Sequence, residues 1–145
     1  MPLDLPVLTA ELQAVAAEPP STVAECAASW AAAAGDHALG VVPASSTVAV
    51  AASALETALV TAFSAGAAAP GMETAFAAFA VTIGGGMAGF VPTPPAGPVG
   101  FAAQFAGPKP ATHAAAAGAV AALIDTWMRT GTATPSGGGA PVSWS

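Results

Sequence analysis

The sequence predicts a mainly α fold: a small Ala-rich helical bundle of about five helices, with a Pro-rich extended strap and a flexible C-terminal arm. Three observations predict it. Alanine fills 42 of the 145 positions while large apolar residues are sparse, so the core material is small. Apolar residues recur at helical spacing, most clearly at Met72, Phe76, Phe79, Ile83, Met87 and Phe90. Prolines and glycines gather at a few places and so divide the chain into segments. At this length one domain is expected overall. It divides into a bundle at 1–90, a strap at 91–110, a C-terminal helix at 111–131 and an arm at 132–145.

The first helix is expected from about Leu5 to Glu18, with Leu5, Leu8, Leu12 and Val15 on one face. Asp4 and Pro6 suit its start, and Pro19-Pro20 stops it. A second runs from Val23 to about Ala34. Thr22 and Glu25 have the spacing of a capping box, Val23, Cys26, Ala27 and Trp30 form the apolar stripe, and Gly35 ends it. After the connector Gly40–Pro43, Ser45 or Ser46 caps a third helix to about Ser64, with Val48, Ala52, Leu55, Leu59 and Phe63 inward. The β-branched residues at its start leave a short strand at Thr47–Val50 as the alternative.

Gly66–Gly71, with Pro70, reads as a break before the fourth segment. There the Met and Phe stripe reads as core. Gly84, Gly85 and Gly86 either end the helix near Ile83 or let a neighbouring backbone come close. Val91–Pro110 carries six prolines, which favour extended backbone. Its apolar members Val91, Val99, Phe101 and Phe105 predict a strap laid across another surface. The last helix spans about Thr112–Thr130, with Val120, Leu123, Ile124, Trp127 and Met128 on its apolar face. Gly131 suits its C-cap, and Arg129 complements the helix dipole. Thr132–Ser145 is Gly-, Ser-, Thr- and Pro-rich and ends in Trp144. Two readings of this tail stay open: a disordered terminus, or an arm docking Trp144 into a neighbouring subunit.

Composition limits the partners. Net charge is −6, and Lys109 and Arg129 are the only lysine and arginine. Nucleic-acid binding needs clustered Lys and Arg against phosphates, so no nucleic-acid partner is expected. An anionic membrane surface is disfavoured by the same sign. Alanine also buries little area per side chain. Close helix approach, or burial against other subunits, would compensate, which favours a homo-oligomer or hetero-assembly. Residues 1–5 have neither a basic region nor a long apolar run, so no secretory signal is expected there.

Chemistry is sparse. Cys26 is the single cysteine and reads as a small buried residue. His37 and His113 have no metal-ligand spacing, and no G-x-S-x-G elbow accompanies them. Each reads as a surface or capping histidine. Asp4, Glu11, Glu18 and Glu25 recur every seven residues; Pro19-Pro20 breaks the alignment, and a solvated face is the expected meaning. The glycine triplets at 84–86 and 137–139 lack the Lys-Ser/Thr of a phosphate loop. No catalytic residue, metal or cofactor is expected, and the chain reads as a non-enzyme.

From about Pro94 onward the chain resembles small structural proteins in the virion modules of tailed bacteriophages. The residues concerned are Pro94–Phe101, His113–Ala117, Ile124–Ser136 and Pro141–Trp144, roughly the last third. The resemblance implies a many-copy head–tail, tail or baseplate component, made in the host cytoplasm and carried in the virion, whose partners are itself and other virion proteins. Phe101, Phe105, Trp127, Val142 and Trp144 are its expected interface residues. The competing reading is a small holin-like membrane protein using residues 74–91, an uncharged run of span length. Its three glycines and lack of a basic flank count against a bilayer span.

Overall fold

A computed structural model describes residues 3–145. The described residues form six helices and three short strands, so the mainly helical expectation holds. In chain order the helices are α1 (Leu5–Ala17), α2 (Val23–Ala38), α3 (Val48–Ser64), α4 (Ala68–Gly85), α5 (Phe101–Ala106) and α6 (His113–Met128). The strands are β1 (Phe90–Thr93), β2 (Thr132–Pro135) and β3 (Val142–Ser143).

The long helices pack as a row: α6 on α1, α1 on α2, α2 on α3 and α3 on α4. Small residues set how closely they approach. A Cβ placed on Gly35 of α2 would lie 3.0 Å from the Ala52 Cβ of α3. One placed on Gly71 of α4 would lie 2.7 Å from the Ala62 Cβ. At these crossings the alanines and glycines are the packing material, because interaxial distance follows the side chains at the contact. Most large core residues are those the helical spacing picked out, Leu8, Leu12, Leu55, Leu59, Met72, Phe76, Phe79, Ile83, Ile124 and Met128, and Phe101 and Trp144 join them from outside the long helices.

Local signals explain most helix starts. The Asp4 carboxylate accepts from the Val7 N–H at 3.1 Å. At Thr22 and Glu25 both halves of the capping box form: the Glu25 N–H donates to the Thr22 hydroxyl, and the Thr22 N–H to the Glu25 carboxylate. The Thr112 hydroxyl caps α6 at the Ala115 N–H.

Several expectations need correction. α2 continues to Ala38, four residues past the expected stop, because Gly35 faces α3 instead of ending the helix. Its buried side is Ala27, Ala31, Ala34 and Ala38, while Val23 is exposed. α4 begins at Ala68, so Pro70 lies in its first turn, where a missing N–H costs little. The Thr47–Val50 strand is absent. Thr47 precedes α3 without a side-chain cap, and the serines do not cap α3 either. Instead the Ser45 hydroxyl donates to the Ile83 carbonyl and that of Thr47 to the Thr82 carbonyl, each at 2.6 Å. These bonds engage carbonyls in the last turn of α4. α4 ends at Gly85, two residues past Ile83, and Gly86 is pressed against Ser45 and Thr47, so the glycines both end the helix and admit a close neighbour.

The segment 91–110 is not irregular throughout, since it contains most of β1 and the six-residue α5. Nor is the tail a free arm. β2 pairs antiparallel with β1, from Phe90 opposite Pro135 to Thr93 opposite Thr132, and β3 pairs with β2. The sheet order is β1-β2-β3.

Candidate functional site

The five residues expected at an interface fall into two groups. Phe101, Trp127 and Trp144 are buried within this chain, whereas Phe105 and Val142 are exposed, at 50% and 42%.

Trp144 is 0% exposed. Its ring lies over Gly131, where a Cβ would come within 2.6 Å, and against Gly84, where one would come within 3.3 Å. Its backbone N–H donates to the Gly131 carbonyl at 2.9 Å. Ser145 and Val42 exchange both backbone hydrogen bonds, at 3.2 and 2.9 Å. The tail therefore docks its tryptophan as expected of an arm, but into its own chain. The reason is packing: Gly84 and Gly131, from two separate segments, leave a slot that the indole fills.

Trp127 and Phe101 secure the strap. The Trp127 indole N–H donates to the Gly97 carbonyl at 3.1 Å. The Phe101 ring sits 5.2 Å from that of Phe76. Glu73, which the sequence reading passed over, is the main clamp. Its carboxylate accepts from the N–H groups of Val99, Gly100 and Phe101, at 2.6, 2.9 and 2.7 Å. Three donors converge on one anion ahead of α5. The available signal was its isolation: between Glu56 and Lys109 it is the single charge.

His37 is not at the surface but fully buried. Its Nε2 lies 3.4 Å from the Asp125 carboxylate, longer than a well-formed hydrogen bond. Asp125 is held from the other side by the Arg129 Nε at 2.8 Å, and Arg129 also donates to the Leu3 carbonyl at 2.9 Å. Burial pushes the imidazole pKa below its ordinary value, against a weaker upward pull from the Asp4 backbone and from Asp125. The enclosed imidazole thus sits between α2 and α6 without a close hydrogen-bond partner.

The acidic residues at seven-residue spacing do different work. Asp4 and Glu25 cap helices. Glu11 is half-buried, and desolvation first, then Asp36, raise its pKa. Cys26 is half-buried, not enclosed, and burial raises its thiol pKa. Among the described residues no group of three or more His, Cys, Asp or Glu side chains could hold a metal ion. None of the described helices is long and apolar enough to cross a membrane. Thr74–Val91, the segment considered as a span, divides into the larger part of α4, a turn and the start of β1.

What remains outward is unusually poor in charge. From Val48 to Gly85 the charged residues are Glu56 and Glu73, and Glu73 is occupied by the strap. Val50 is 64% exposed and Val81 59%. Between the two helices Ala58, Ala65, Thr74 and Ala78 line a shallow apolar groove.

The fold thus defines a small, charge-poor helical bundle closed by a latched strap and a pinned C-terminus. A scan against protein-family profiles finds no match, and comparisons with curated proteins and with solved structures likewise find none.

Proposed function

We propose that this chain is a non-catalytic structural subunit of a tailed-phage virion, in the neck, tail or baseplate region, where it mediates protein–protein assembly in many copies. The observation that carries the assembly half of this reading is the α3–α4 outer face. Its exposed side chains are small or β-branched, and Glu56 is its one uncommitted charge. A surface of this kind neither repels another copy nor holds a helix at a distance. The virion half rests on the likeness of the last third of the chain to small tailed-phage structural proteins.

Light scattering and negative-stain imaging at micromolar concentration, alone and with candidate virion partners, test the proposal. A defined oligomer or a stoichiometric co-assembly is expected. Val81→Glu should dissolve it while leaving the helical circular dichroism unchanged. A cooperative monomer that joins no assembly overturns the reading.

A further inference from the structure

The protein has eight carboxylate side chains and two Lys/Arg residues. Arg129 is bound to Asp125. Lys109 takes part in neither of the ion pairs found among the described residues. It and His113 stand on one groove. At its deep end Leu12, Trp30, Phe105 and Val120 line an apolar cleft of about 220 Å³, with His113 at the edge. A second hollow continues from Phe105 and Val120 along Gly107–Pro110 to Lys109. A third runs from Lys109 to His113. No acidic side chain lines any of the three. On a chain of net charge −6, an apolar trough bordered only by basic and neutral groups is complementary to an acidic, apolar occupant.

We propose that this groove docks an acidic, apolar segment of a partner polypeptide. An apolar side chain of the partner enters between Trp30, Phe105 and Val120, and its carboxylates lie against Lys109 and His113. The trough is open along its length, whereas small-molecule sites enclose most of their ligand. Peptide grooves instead take a few anchor side chains and leave the rest of the segment in water. The proposal deepens the assembly reading and rests on it, by giving the chemistry of one partner.

The test selects a random peptide library on the immobilised full chain and maps the bound peptides by amide chemical shifts. Enriched sequences should combine Leu, Phe or Trp with Asp or Glu, and shift the amides around Leu12, Trp30, Phe105, Lys109 and Val120. Lys109→Glu, on an exposed loop and harmless to folding, should weaken binding about fivefold. Phe105→Ser should abolish it. The proposal is overturned if nothing is enriched, if enriched peptides lack acidic residues, or if they bind the Lys109→Glu protein equally well. It is also overturned if decanoate, but no peptide, occupies the cleft, or if only a second copy of the chain shifts these amides. Assembly through the α3–α4 face is read separately with Val81→Glu, so failure of the groove and failure of the assembly reading give different results.

Discussion

Single residues show how much depends on where a side chain ends up. Trp144, which reads as a hot spot for another molecule, is instead buried against Gly84 at the end of α4 and Gly131 after α6. Trp144→Ala should therefore lower the stability of the isolated chain, by about 3–5 kcal/mol, the usual range for emptying a buried aromatic site. Urea unfolding at low protein concentration measures this; an unchanged midpoint would restore the intermolecular reading. His37 supplies a pH prediction. Its folded pKa lies below the value of 6.5 for an ordinary imidazole. Below that value the unfolded chain binds more protons than the folded one, so stability is present above it and declines as pH falls. The urea midpoint should drop between roughly pH 7.5 and 5.5, the interval around the ordinary imidazole pKa. His37→Leu should flatten that dependence. Glu11 acts in the opposite sense: its raised pKa gives stability present below about 4.5 and lost as pH rises through the folded value.

At the scale of elements, the short α5 and the strap depend on contacts made far away in sequence. A six-residue helix does not stand alone in water. Glu73 supplies what it lacks, an anion for three N–H groups at its start. Glu73→Ala should cost about 2 kcal/mol, as for loss of a charged acceptor. Hydrogen exchange should accelerate at Val99, Gly100 and Phe101, while the α3 core amides stay protected. Glu73→Gln, keeping an acceptor without the charge, should fall between. Equal exchange in all three proteins would mean that Trp127 and Phe101 hold the strap unaided.

For the molecule as a whole, the tail is part of the fold. β2 and β3 complete a sheet begun by β1, and Ser145 is bonded to Val42 on the connector between α2 and α3. Removing Ala140–Ser145 should lower the thermal midpoint and the near-ultraviolet dichroism, because it takes away β3, the Val42 pairing and a buried indole together. A truncated chain with the full-length midpoint would show these contacts to be dispensable. The proposed self-association is tested separately. The row of helices leaves the α3–α4 face outward, and Val81→Glu acts on that face without touching the tail.

The sequence by itself determined five of the six described helices, all but α5, the N-caps at Asp4 and Thr22, and most of the large core residues. Asp4 and Thr22 act on backbone groups within one turn, and the stripe from Met72 to Ile83 expresses a helical period, whereas Met87 and Phe90 lie beyond α4; both signals are local. What only the tertiary structure decided was non-local. His37 meets Asp125, Glu73 meets the Val99–Phe101 backbone, Ser45 and Thr47 meet the end of α4, and His113 lines one cleft with Leu12 and Trp30. None of these pairings has a spacing to read, because each depends on how closely Ala- and Gly-faced helices approach. The same cause decided the fate of Trp144: a tryptophan among glycines reads as a free arm until glycines from two other segments provide the slot that buries it.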